Sequence, residues 1–288
     1  MPTGYTIKSL APAKINYILE IGRKRKDGFH EIKTVFQTVS LFDVLHFKEI
    51  QGKVIINSNT DKMGPPEENL VYKAAMMLKR KLTVDKGVEI FIDKKIPVGA
   101  GLGGGSSDAA CALKGLARLW NLRLDKKTLY EMASFLGADV PFFIEGGIAT
   151  ARGKGDVISN ISRGIKPSFS VLLVYPEIHI STKEAYEKWD KEGDGSKGKG
   201  IDTFMKAFYK FDTDGMAKSL FNDFESVIIK QHPIIGEIKQ KMKELGALGA
   251  LMSGSGSSVF GIFPDSQTIK DAILKAKFPG KVFELKTI

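Results

Sequence analysis

Apolar and polar residues alternate along Val88-Glu89-Ile90-Phe91-Ile92, the period of a β-strand. Twenty residues on, the period changes: Ala109, Leu113, Leu116, Ala117 and Trp120 fall on one stripe of an amphipathic helix. The same reasoning predicts strands over residues 5–10, 13–20, 32–41, 44–47, 53–57, 146–151, 169–174 and 282–285. A helix begins near Asn69, with Leu70, Val71, Ala74, Ala75 and Leu78 as its buried stripe. A second runs from Asp125 through Leu129, Met132, Ala133 and Leu136 to a stop at Gly137. Ser181-Thr182-Lys183-Glu184 is a capping box and predicts a third, carrying Ala185, Tyr186 and Trp189. Further helices are predicted over residues 204–208, 215–221, 234–245 and 269–277. Residues 190–200, rich in Gly, Lys and Asp, read as a mobile surface loop. A change of composition over residues 162–168 suggests a domain boundary, with domains at 1–163 and 164–288. Strands and helices alternate in the second half in an α+β manner.

Between the strand at 88–92 and the helix that follows lie Pro97, Val98, Gly99, Ala100, Gly101, Leu102, Gly103, Gly104, Gly105, Ser106, Ser107 and Asp108. A helix N-terminus carries unpaired N–H groups and a partial positive charge, and glycine lets backbone approach a ligand closely. Together they make an anion cradle suited to phosphates. The alternative, a flexible linker, fits poorly where a strand hands over to a strongly periodic helix. Gly99, Gly101 and Gly104 satisfy G-x-G-x-x-G, but Asp125 opens a helix instead of ending a second strand, which argues against a dinucleotide fold. A Walker A loop needs Lys after its last glycine, and here Ser106 follows Gly105. A second glycine–serine loop, Met252-Ser253-Gly254-Ser255-Gly256-Ser257-Ser258, lies between two short predicted strands.

Several polar residues sit where apolar ones are expected. In the strand at 13–20, Lys14 and Asn16 share one face, about 6.6 Å apart. They form either a built polar pair or an edge with Lys14 in water. Asp139 lies between a helix stop and an apolar segment, where it is either a turn residue bonded to backbone N–H groups or a carboxylate with a task. Asp27-Gly28 marks a turn after the basic run Arg23-Lys24-Arg25-Lys26, and Phe29 and His30 follow it.

Composition adds a little. The chain has 288 residues, 43% hydrophobic and 26% charged, which is ordinary for a globular protein. Its 43 basic and 33 acidic residues leave a net charge of +10, favouring polyanionic partners. Its one cysteine, Cys111, excludes an internal disulfide and suits a reducing, cytoplasmic setting. There is no apolar run of membrane-spanning length, and the N-terminus lacks a signal-peptide core. A nucleic-acid-binding protein would use the basic run but leave Asp139 and both glycine loops unexplained.

Taken together, Pro12-Ala13-Lys14-Ile15-Asn16, residues 97–107 and residues 252–258 resemble the three motifs of the GHMP small-molecule kinases. Glu68-Asn69-Leu70-Val71-Tyr72-Lys73-Ala74, Asp27-Gly28-Phe29-His30-Glu31 and Gly137-Ala138-Asp139-Val140-Pro141-Phe142 extend the resemblance over nearly the whole chain. It implies a ribosomal protein S5 domain 2-like N-terminal domain and a ferredoxin-like C-terminal domain. It implies ATP, with Mg²⁺, bound by residues 97–107 and Asn69, and phosphorylation of the 2-hydroxyl of a cytidine diphosphate polyol in the non-mevalonate isoprenoid route. Asp139 is implied as general base, with Lys14 easing its ionisation and stabilising charge on the transferred phosphoryl group. Asn16 and His30 are implied to hold the substrate, His30 through its cytosine, with Phe29 and Tyr186 stacking on the base. A monomer or homodimer acting on small molecules, with neither nucleic acid nor membrane as partner, completes the expectation.

Overall fold

The computed structural model describes residues 4–162, 168–193 and 200–288. Two compact units emerge, each assembled from several stretches of chain. The first comprises Met1–Ala13, Leu41–Val98 and Gly103–Gly146, the second Lys14–Ser40, Gly99–Leu102 and Gly147–Ile288. Two long strands, β1 (Ile7–Lys24) and β2 (His30–Gln51), therefore contribute to both.

Each long strand corresponds to two shorter ones expected from the sequence. Pro12 looks like an interruption because it has no N–H to give a ladder. It is tolerated because, among the described residues, β1 has a strand on its second side only at Ile18 and Leu19, where β8 (Phe221–Asn222) pairs in parallel. Asp43 looks like a break in β2, yet it is fully buried and bonded.

In the first unit, the 41–51 half of β2 pairs antiparallel with β4 (Lys86–Asp93), which pairs in parallel with β3 (Val54–Ser58). The alternation seen at 88–92 places Val88, Ile90 and Ile92 in the core. Over the sheet lie α1 (Leu70–Lys81) and α2 (Gly104–Leu119), and against these helices pack α3 (Lys126–Leu136) and the single turn α4 (Phe142–Glu145). Asn69 and Asp125 cap α1 and α3, accepting from Val71 and Thr128 N–H. Gly115 sets how closely α2 approaches the sheet, since a Cβ there would lie 2.5 Å from the Phe47 ring.

In the second unit, the 34–37 segment of β2 pairs antiparallel with β5 (Ile148–Arg152), which pairs with β6 (Val157–Asn160). A separate antiparallel sheet runs β11 (Lys281–Lys286), β7 (Ser170–Tyr175), β10 (Val259–Phe263), β9 (Gly249–Met252). Between β7 and β9 come α5 (Thr182–Glu192), α6 (Gly200–Tyr209), α7 (Thr213–Lys218), α8 (Glu225–Gln231) and α9 (Pro233–Glu244); α10 (Ser266–Lys275) joins β10 to β11. Numbered in chain order, these four strands lie 4-1-3-2 within a βαββαβ path, the ferredoxin-like arrangement. Ile235, Ile238 and Met242 of α9 pack with Leu172, Val174, Ala250, Met252 and Val259 to form its core.

Two expectations are corrected. The helix expected to reach residue 221 ends at Lys218, because Phe221 and Asn222 extend to pair with β1. The loop expected from residue 190 begins later, since α5 continues through Glu192; residues 194–199 lie outside the described residues. Strand β6 and helix α8 had no distinct signal in the pattern.

Candidate active site

Alternation along β1 puts Lys14 and Asn16 on one face, and both are buried, at 5% and 3% exposure. Lys14 Nζ donates to Asn16 Oδ1 at 2.5 Å. Asn16 Nδ2 donates to Thr34 Oγ1 at 2.9 Å, and that hydroxyl donates to the Ile18 carbonyl at 2.6 Å. The amide is thus oriented by partners on both sides. The structure resolves the open reading of this strand as a built polar pair.

The same unit holds the first part of the glycine loop. Lys14 N–H donates to the Leu102 carbonyl at 3.0 Å. Gly99, Gly101 and Gly103 adopt φ of 65°, 75° and 69°, alternating with the buried anchors Ala100 and Leu102. Ser253 Oγ donates to the Gly101 carbonyl at 3.0 Å, and Ser258 N–H donates to the Ala100 carbonyl at 3.3 Å, so the second glycine–serine loop clamps the first. A Cβ on Gly101 would lie 2.0 Å from the Ser253 carbonyl oxygen. Gly101→Ala therefore meets both left-handed strain and a backbone overlap, and is expected to destabilise by about 2–4 kcal/mol, read by denaturant unfolding.

In the first unit, Gly103 opens α2 from a left-handed cap with no side-chain cap bond. The earliest backbone bond of the helix recorded at its start is Ser107 N–H to the Gly103 carbonyl at 2.9 Å. The first-turn amides of Gly104, Gly105 and Ser106 thus lack intrahelical acceptors. Space around Gly105 is open, since a Cβ there would meet nothing within 4 Å. Helix α2 starts five residues before its first apolar stripe residue, Ala109, so the last glycines of the loop are already helical. A helix N-terminus bared by glycine can receive an anion.

Beneath this turn is a cluster that the sequence reading did not single out. Asp43 accepts from Lys95 and Ile96 N–H at 2.6 and 2.8 Å, and Lys94 Nζ reaches Asp43 at 2.5 Å and Asp108 at 2.9 Å. All three side chains are buried, with Lys94 the most exposed at 6%. Burial works against the Lys94 ammonium, but the two carboxylates outweigh it and hold its pKa above the ordinary value. Burial pushes the Asp108 carboxyl up to about 7, against the pull of Lys94 and with the help of Asp43. Two signals were available: a carboxylate interrupting an apolar strand, and another inside the first turns of a helix.

In the second unit, His30 Nε2 lies 2.9 Å from Asp190 Oδ1, and Lys24 pairs with the same carboxylate. Tyr186 stacks parallel on His30, with centroids 5.2 Å apart and planes at 11°, and meets Phe224 edge-on. Phe29 is 56% exposed, with Lys154 Nζ 5.3 Å from its ring centre. His30 and Tyr186 are therefore brought together, while Phe29 presents its ring to solvent. Asp190, read from the sequence as part of a loop, turns out to be a helical partner of His30. Asp139 is half-buried in the turn after α3, where Val140 N–H donates to the Gly137 carbonyl at 3.2 Å. Pro97 and Val98 are half-buried at the loop's entry, and the Asn69 side chain is engaged in capping α1. Among the described residues no helix is long and apolar enough to cross a membrane, and no group of three or more His, Cys, Asp or Glu is placed to hold a metal ion.

Family models fit both parts of the chain: the GHMP kinases N terminal domain over residues 69–147 and the GHMP kinases C terminal domain over residues 204–282. The chain belongs to the GHMP kinase family. Among GHMP kinases it is similar to proteins named 4-diphosphocytidyl-2-C-methyl-D-erythritol kinase. The one from Syntrophomonas wolfei is 40% identical over 89% of each chain, and the one from Clostridioides difficile is 40% identical over 94% of this chain and 90% of the relative. The crystal structure of a 4-(cytidine 5'-diphospho)-2C-methyl-D-erythritol kinase superposes with a TM-score of 0.82 at 32% identity, covering 98% of this chain and 99% of that one. The L. major mevalonate kinase, solved in complex with R-mevalonate, shares this fold at a TM-score of 0.78 and 17% identity, over 99% of this chain and 97% of its own.

Proposed function

We propose that this GHMP kinase transfers the γ-phosphoryl group of ATP to the 2-hydroxyl of 4-diphosphocytidyl-2-C-methyl-D-erythritol, in non-mevalonate isoprenoid precursor synthesis. The observation carrying the transfer chemistry is the bared helix N-terminus behind three left-handed glycines. The relatives' shared name supports the choice of substrate. Phosphoryl transfer asks the protein chiefly to position reactants and neutralise charge, so a cradle, a carboxylate and an ammonium suffice for its own part.

In this reading residues 97–107 hold the triphosphate and Asn69 lies at the nucleotide site. Mg²⁺ arrives with ATP and supplies neutralisation of the phosphates. Asp139 takes the proton of the accepting hydroxyl. Lys14 stabilises charge on the transferred group, and Asn16, held by Thr34, orients the substrate. His30 reads the cytosine, backed by the stacked ring of Tyr186, and Phe29 supplies the exposed face on which the base lies. We place the nucleotide-binding domain at residues 1–163 and the C-terminal domain at 164–288. The protein acts in the cytoplasm as a monomer or homodimer, on small molecules and not on nucleic acid.

An ADP-release assay across a panel of acceptors tests the reading. Turnover is expected with the cytidylyl polyol and not with homoserine or mevalonate; preference for an acceptor lacking the cytidylyl group rejects it. Phe29→Ala should raise KM for the cytidylyl substrate about tenfold with kcat little changed, as loss of one stacking face implies. An unchanged KM removes Phe29 from the base site.

A further inference from the structure

We propose that Asp108 is a proton-coupled positioning residue of the phosphate loop: its carboxylate takes up a proton from solvent when nucleotide phosphates settle on the first turn of α2. The inference rests on the kinase reading above and concerns how the loop accommodates its charge.

The geometry is a buried cluster of two carboxylates around one ammonium, with one negative charge left over when both are ionised. Asp108 is the fifth residue of α2, so it lies about 6 Å along the axis from Gly104 at ~1.5 Å per residue. The Lys94 ammonium is wedged against the start of the same turn, 3.3 Å from where a Cβ on Gly104 would stand. Phosphates bound at this helix end therefore add negative charge within one Debye length of a cluster that already has an excess of it. Burial leaves little solvent to screen the repulsion.

The cluster can relieve this by gaining a proton, and the structure identifies where. Asp108 Oδ2 is taken by Lys94, whereas Oδ1 is buried with no hydrogen-bond partner, as is the neighbouring Ser107 Oγ. Protonation of Oδ1 forms an O–H bond, consumes one solvent proton and leaves Lys94 paired between a neutral acid and Asp43. Asp43 accepts from Lys95 and Ile96 N–H as well as pairing with Lys94, whereas Asp108 keeps one oxygen with no partner, so Asp108 is the member with room for a proton. The groups facing it are Asp43 from β2, Lys94 from the loop entry and, one turn along α2, Cys111. That thiol, pushed up to about 12 mainly by burial, carries no charge near neutrality. Burial, which raises the Asp108 carboxyl well above the ordinary carboxylate range, works in the same direction as added phosphate charge.

Calorimetric titration of the intact protein with MgATP, without phosphoryl acceptor, in buffers of different ionisation enthalpy at pH 7, counts the protons taken up. The wild type should take up a fraction of a proton on binding that Asp108→Asn does not take up. The comparison cancels ionisation of the nucleotide itself. Equal proton counts in two proteins that both bind MgATP overturn the proposal. Should Asp108→Asn not fold, infrared difference spectra of the wild type replace it. MgATP should add a protonated-carboxyl carbonyl band that moves on ¹³C-aspartate labelling, and absence of the band overturns the proposal equally. If the wild type binds no MgATP, the kinase reading itself falls; binding without proton uptake sinks only the role of Asp108.

Discussion

Asp139→Asn should lower kcat by about 10²-fold or more while MgATP binding stays near normal, the cost of losing a general base. Asn has nearly the shape of Asp and keeps one carbonyl acceptor, so the turn between Gly137 and Pro141 should persist. What it loses is the capacity to receive a proton. Phosphoryl transfer to an alcohol is slow unless the hydroxyl proton has somewhere to go as the new P–O bond forms. Steady-state kinetics with the cytidylyl substrate, together with a thermal melt to establish that the fold is unchanged, checks the prediction. Near-normal kcat in a folded Asp139→Asn protein takes the base role away from this residue.

Lys14→Ala is expected to cost a comparable factor, about 10²–10³ in kcat, in the range found when a single preorganised donor to developing charge is removed. Lys14 is suited to this because its ammonium is not free to wander. It is 5% exposed, it rises from the middle of β1, and it bonds to an Asn16 side chain itself fixed by Thr34. A charge held this way needs no reorganisation when the phosphoryl group moves. Stability will also fall, by about 1–3 kcal/mol, because the buried Asn16 Oδ1 loses this donor. The two effects separate experimentally: kcat measured well below the melting temperature reports the lost charge alone. Lys14→Met, which keeps length and packing, should reproduce the kinetic defect with a smaller loss of stability. Recovery of activity in the Met variant would mean that Lys14 is only a packing element.

Much of this architecture is written in local periodicity. The stripes of α1, α2 and α3, the Asp125 and Ser181 caps and the glycines before α2 all depend on residues within a turn or two of each other, and they stand where the pattern puts them. The expected strands stop short at Pro12 and at Asp43, where β1 and β2 run on, and for Asp43 what keeps the strand continuous lies far away. The N–H groups that satisfy Asp43 are 52 and 53 residues downstream. The pairing of Asp190 with His30 bridges 160 residues of sequence and has no local signature. Strand β8 is two residues long, too short for any alternation to register. At the site, spacing placed Lys14 and Asn16 on one face but left their burial open. Tyr186 was expected as a stacking ring, and the ring it lies on is that of His30. The chemical roles proposed for Asp139 and Lys14 come from family resemblance, because neither periodicity nor spacing distinguishes a working carboxylate from one that stabilises a turn.

The passage of β1 and β2 through both units has a practical corollary. A polypeptide started at residue 164 would lack the Lys14–Ser40 ribbon and the Gly99–Leu102 segment that belong to the same unit as its own strands. Excising either half would leave a torn sheet edge, ready to pair with itself or with a neighbour. Biochemical dissection of this enzyme is thus better done by point substitution in the uncut chain than by truncation.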